Sequence, residues 1–182
     1  GKCCRAMAVY GALQRGGGIS LSIKVSDEKI KDNSDIVITD TLVAFEGDKS
    51  LEAMLPQLKT GGTLLIDCDK RTAEHFRNLR PDAKVIAIPA KSLAMQIHKR
   101  ADRTNIIMFG AMLVLADIKD SAHVVALINK LQDLPEVSKV AKLLLSQESK
   151  LAVLAGYKAC HYELNGEAST IERTISHEQG FL

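Results

Sequence analysis

"LPQLKTGGTLLIDCDKRTAEHFRNL", Leu55 to Leu79, decides how the chain folds. Its first residues close a candidate helix, Leu51–Leu58, with Ser50 as N-cap and Ala53 where a full capping box would carry Glu. "KTGG" (Lys59–Gly62) stops that helix, because glycine tolerates the backbone angles that end one. The apolar run Thr63–Cys68 then reads as a buried strand, and Arg71–Leu79 returns to helical spacing. Helix, glycine stop, strand and helix form the unit of a parallel sheet, whose neighbouring strands need a crossover between them.

The same alternation extends on both sides. Upstream, "SDIVITDT" (Ser34–Thr41) is rich in β-branched residues and reads as a buried strand. Downstream, Pro81 starts a turn and "KVIAIPA" (Lys84–Ala90) is the next strand. Beyond it the chain turns helical: Leu93–Arg100, Thr104–Ile118, Ser121–Leu131 and Glu136 to about Glu163, with Pro135 at a helix start. The last residues, "NGEASTIERTISHEQGFL", are polar and read as a surface arm or a docking segment. The expected architecture is α/β, a Rossmann-like three-layer sandwich with a mainly parallel sheet and a helical C-terminal part. Residues 1–163 form the domain and 164–182 the arm.

The N-terminal part departs from a doubly wound sheet. Ala6–Tyr10 is a short candidate strand, and in "GALQRGGGISLSIKVSD" (Gly11–Asp27) three glycines precede an apolar alternation. Ile19, Leu21, Ile23 and Val25 alternate with Ser20, Ser22, Lys24 and Ser26, the pattern of a half-buried strand. A phosphate-binding glycine turn must open a helix, so this one, which feeds a strand, is neither a dinucleotide-binding turn nor a P-loop. The strand–glycine turn–helix that normally opens such a sheet is missing, and residue 1 is Gly, so an N-terminal βα unit is expected to precede this chain.

Composition narrows the function classes. With 24 basic and 22 acidic residues and 4 % aromatics, the chain has neither the charge nor the stacking surface of a nucleic-acid binder. The longest apolar stretch, Ile106–Ile118, holds Gly110 and Asp117 and is too short for a bilayer. No signal-peptide pattern appears, so a cytoplasmic location is expected. Cys3, Cys4, Cys68 and Cys160 make no CxxC and are expected to be reduced, mostly buried thiols. The histidines 75, 98, 123, 161 and 177 show no zinc spacing, so no metal site is expected. Cys160 and His161 are helix neighbours that point about 100° apart and form no dyad. No GxSxG or Walker A motif is present, and no catalytic residue is assigned.

Ligands of open parallel sheets bind beyond the carboxyl ends of the strands. On the strand limits above, those ends carry Thr39, Asp40 and Thr41, then Asp67, Cys68 and Asp69, then Pro89. Asp40 and Asp67 serve there either as acid, base or ribose acceptor, or as solvated caps. "LKTGGTLLI" also resembles the helix–turn–strand of class I methyltransferases, but the glycine turn those enzymes need earlier is not found here.

Five segments in order, "YGALQRGGGISLSIKVSDEKI", "SDIVITD", "LPQLKTGGTLLID", "AIPAKSLAMQ" and "RTNIIMFGAMLVL", resemble the gamma subunit or domain of 2-oxoacid:ferredoxin oxidoreductases. The likeness runs from about Tyr10 to Leu115 and is closest to the small subunit of indolepyruvate oxidoreductase; "KLAVLAGYKA" (Lys150–Ala159) is similar to the family's last helix. The resemblance implies a Rossmann-like unit that helps convert a 2-oxoacid and coenzyme A to acyl-CoA, carbon dioxide and reduced ferredoxin. It implies no cofactor in this chain: thiamine diphosphate, Mg and Fe–S clusters belong to partner subunits, and the isolated chain, a possible homodimer, would be inactive. Gln14, Arg15, Gly16 and Gly17 match the family's "QRGG" turn, and Asn105 its asparagine before the last apolar helix. With Thr39 and Asp40 they form the expected coenzyme A or substrate-binding set. Two departures stand out: the family's "GxGGQG" is absent, and Tyr10 replaces a common His. Arg15 beside the glycines could grip a carboxylate or phosphate, or make a surface or partner salt bridge. Asn105 could instead cap the helix it begins. A non-catalytic binding or assembly module is the alternative to a role in the reaction.

Overall fold

The computed structural model describes residues 2–10, 19–31, 34, 36–47, 49–132, 146–167 and 174. Its centre is a three-stranded parallel sheet in the order β3 (Thr39–Ala44), β4 (Leu58–Asp67) and β5 (Lys84–Ile88). Helix α1 (Lys49–Met54) and a 3-10 turn, Leu55–Gln57, link β3 to β4, and α2 (Lys70–Leu79) links β4 to β5. Then follow α3 (Ala90–His98), α4 (Thr104–Leu115), α5 (Ser121–Gln132) and α6 (Gln147–Leu164). Thr174, in the polar C-terminal stretch, is buried.

The strands sort their side chains with a period of two, and this makes three layers. Leu42, Leu64, Ile66 and Val85 point to one face, where they pack with Leu51, Leu55 and Phe76. Leu65, Ile86 and Ile88 point to the other, under Leu93, Ile107, Met108 and Leu154. Both faces of the sheet are therefore covered, as the near-continuous apolar strands require. Helix α4 is buried nearly all round, at Ile106, Ile107, Met108, Gly110, Ala111 and Leu113. It reaches that depth because Gly110 and Gly156 let α4 and α6 touch through their backbones. A Cβ on Gly110 would stand 1.9 Å from the Val153 carbonyl oxygen, and one on Gly156 would stand 1.8 Å from that of Ile107.

Several element limits differ from the sequence reading. The first strand of the sheet is Thr39–Ala44, not Ser34–Thr41; Val37 and Ile38, apolar and β-branched, are exposed ahead of it. Tertiary pairing overrides propensity here, since the apolar pair reaches neither core face. The helix read as Leu51–Leu58 begins at Lys49 and stops at Met54, so Ser50 lies inside it and is not its N-cap. Pro56 lies in the first turn of the 3-10 segment, and Leu58 already has extended angles. "KTGG" therefore does not cap a helix. It forms a bulge inside β4, between the pairs Thr39↔Leu58 and Thr41↔Thr63. Gly61 supplies the bulge's positive φ of 73°, and a Cβ on Gly62 would lie 2.8 Å from the Lys59 carbonyl oxygen and 2.9 Å from that of Asp40. Arg80 holds the entry to β4 by donating to the carbonyls of Leu55 and Leu58 and pairing with Asp82.

The N-terminal strands β1 (Cys3–Tyr10) and β2 (Ile19–Ser26) form a separate antiparallel sheet, from Cys3↔Ser26 to Tyr10↔Ile19. The alternation in β2 is real, but its apolar side is not half-buried. Leu21, Ile23 and Val25 are exposed by 60 %, 46 % and 61 %, and Ala8, Ala6 and Cys4 oppose them on β1. The opposite side, with Arg5, Met7, Ser22 and Lys24, lies near Ser34 and Ile36. The cysteines also depart from expectation: all four are free thiols, but only Cys160 is buried, with Cys4 exposed and Cys3 and Cys68 between.

Candidate functional site

A cleft of about 360 Å³ opens at the carboxyl ends of the three parallel strands. Phe45, Glu46 and Gly47 follow β3, Asp67–Asp69 lie at the end of β4, and Pro89, Lys91 and Ser92 follow β5. Backbone geometry puts it there, because every strand of a parallel sheet delivers its loop to the same edge. Gly47 keeps the cleft tight against α2: a Cβ there would meet Thr72 Cγ2 at 2.7 Å.

Two carboxylates of the cleft, Asp67 and Asp69, have backbone partners. Asp67 Oδ1 accepts from the Lys91 backbone N–H at 3.2 Å, in the first turn of α3. Burial pushes the Asp67 carboxyl up, and N–H groups of Lys91 and Ala90 oppose that rise. Asp69 is the N-cap of α2, accepting from the Thr72 N–H at 2.8 Å, and this bond lowers its carboxyl. Between them, burial and then the charges of Asp69 and Asp67 push the Cys68 thiol up to about 12. The thiolate, and not the thiol, is the nucleophilic form of cysteine. Asp67 and Asp69 are thus engaged in anchoring α3 and α2.

The sequence-selected residues do not converge on this cleft. Thr39 and Asp40 begin β3, at the opposite end of the strand from Phe45, so they are not at the carboxyl edge. The strand starts five residues later than its composition suggests. Asp40 pairs with Lys59 at 2.9 Å with both side chains exposed, and the Thr39 hydroxyl donates to the Thr41 carbonyl at 2.8 Å. Asn105 is exposed in the first turn of α4. It caps nothing: the N-cap position is Arg103, without a side-chain bond. Gln14, Arg15, Gly16 and Gly17 lie outside the described residues. Asp67, Cys68, Asp69 and Pro89 do reach the carboxyl edge. Sequence reading misses Phe45, Glu46, Thr72, Lys91 and Ser92; a first strand that ends at Ala44 instead of Thr41 puts "FEG" at that edge.

Among the described residues, no group of three or more His, Cys, Asp or Glu is placed to hold a metal ion. No helix among them is long and apolar enough to cross a membrane.

Comparison with known proteins adds a family. Residues 1–143 match the family model described as pyruvate ferredoxin/flavodoxin oxidoreductase. No curated protein matches. Among solved structures, the chain is similar to pyruvate oxidoreductase subunit PORC from Thermotoga maritima, with a TM-score of 0.60 and 22 % identity over 86 % of this chain and 79 % of that one. It is also similar to the gamma subunit of a keto/oxoacid ferredoxin oxidoreductase from Geobacter sulfurreducens, with a TM-score of 0.59 and 21 % identity over 90 % of this chain and 81 % of that one. A third likeness is to the 2-oxoglutarate:ferredoxin oxidoreductase from Magnetococcus marinus, solved with 2-oxoglutarate, coenzyme A and succinyl-CoA bound. There the TM-score is 0.56 and the identity 16 %, over 92 % of this chain but 26 % of that much longer one. At these identities the structures establish the shared fold.

Proposed function

Because this chain belongs to the pyruvate ferredoxin/flavodoxin oxidoreductase family, we propose that it is the gamma-type component of a thiamine-diphosphate-dependent 2-oxoacid:ferredoxin oxidoreductase. The family match over residues 1–143 carries the reading. In it, thiamine diphosphate, Mg and the Fe–S clusters reside in partner subunits, which oxidise and decarboxylate the 2-oxoacid and pass its electrons to ferredoxin. This chain helps to position coenzyme A or the 2-oxoacid and to assemble the complex.

What the chain's own residues can do agrees with that division. The protonated Cys68 thiol and the helix-anchoring carboxylates Asp67 and Asp69 suit a cleft that holds a molecule in place. In this reading the anion contact comes from Arg15, whose guanidinium can grip a carboxylate or phosphate in a bidentate fork, with Gln14 and the N–H groups of Gly16 and Gly17 beside it. Asn105, exposed and free of a capping duty, is a further polar contact.

Affinity purification of the tagged chain from its native host tests the assembly. It should bring down subunits that contain thiamine diphosphate and Fe–S clusters; recovery of the chain alone would overturn the reading. In the reconstituted complex, Arg15→Ala should lower turnover about 10-fold or more, the equivalent of about 1.4 kcal/mol. Unchanged turnover and unchanged KM for coenzyme A and 2-oxoacid would leave Arg15 without a role in the site.

A further inference from the structure

We draw no further inference here: the strongest candidate, the exposed apolar face of the β1–β2 sheet formed by Cys4, Ala6, Ala8, Leu21, Ile23 and Val25, carries none because nothing in the structure shows what covers it.

Discussion

Asp82 and Arg80 show how one ion pair shapes both local geometry and pH response. Arg80 donates to Asp82 Oδ1 at 2.9 Å and Oδ2 at 2.8 Å while it also holds the Leu58 carbonyl at 3.0 Å. The guanidinium beside Asp82 holds its carboxyl down at about 2, against an ordinary 3.8. A carboxyl lowered in the folded state binds its proton more weakly there than in the unfolded chain. Its contribution to stability is therefore complete above about pH 4 and is lost as pH falls through about 2. NMR titration of the Asp82 side chain should show a midpoint near 2. In Arg80→Gln the midpoint should return toward 3.8, with a loosened entry to β4 and a lower denaturation midpoint at pH 7. A midpoint unmoved by the substitution would show that Arg80 is not the cause. The same residue scale shows where sequence reading reaches its limit. Chain order alone puts Asp67 and Asp69 at the carboxyl edge of the sheet. Their service as anchors for α3 and α2 depends on where Lys91 and Thr72 lie in space.

Among the elements, the contact of α4 with α6 is the most demanding. Gly110 and Gly156 lie inside their helices and serve no turn or loop; they are required because each lies against the other helix's backbone. Gly110→Ala must push the helices apart or bend them, because its Cβ would meet backbone at 1.9 Å; overpacking costs roughly 1–3 kcal/mol, sometimes more, and a clash with backbone belongs at the upper end. Gly166→Ala is the useful contrast. Its Cβ would meet nothing within 4 Å, but its φ is 69°, so the cost should be about 1–2 kcal/mol, that of a left-handed L-residue. Urea unfolding of the two variants should give that order, and equal losses would mean that the helices can relax apart freely. The β1–β2 sheet gives an opposite expectation. Ile23 is 46 % exposed, so Ile23→Ser should change the stability of the isolated chain by less than about 0.5 kcal/mol. A thermal melt lowered by many degrees would show that this face is buried within the chain. The alternation of β2 was legible because period-two patterning is local. Which way the apolar side points was not, since that depends on what the rest of the molecule supplies as a covering layer.

The whole molecule combines a covered parallel sheet with an uncovered antiparallel one. The first part has one core on each face of β3–β4–β5. The second exposes three large apolar side chains on one face. A chain that works inside a larger assembly can carry such a surface, whereas a free monomer rarely keeps large exposed apolar patches. The chain belongs to the pyruvate ferredoxin/flavodoxin oxidoreductase family. In its own cleft, Asp67 and Asp69 anchor the first turns of α3 and α2.

By itself the sequence determined the α/β class, the parallel strand Lys84–Ala90 to within two residues and the second half of β4 at Thr63–Cys68, the helical C-terminal part, and the family through its ordered segments. These are properties of local pattern and chain order, which side-chain periodicity and glycine placement fix before any long-range contact forms. Tertiary structure alone decided that β3 starts at Thr39 and that "KTGG" is a bulge in a strand. It also put Phe45 to Gly47 at the cleft and Thr39 and Asp40 at the far end of the sheet. Strand limits are set by which backbone groups find partners on a neighbour. A shift of a few residues along one strand then carries a residue from one edge of the sheet to the other.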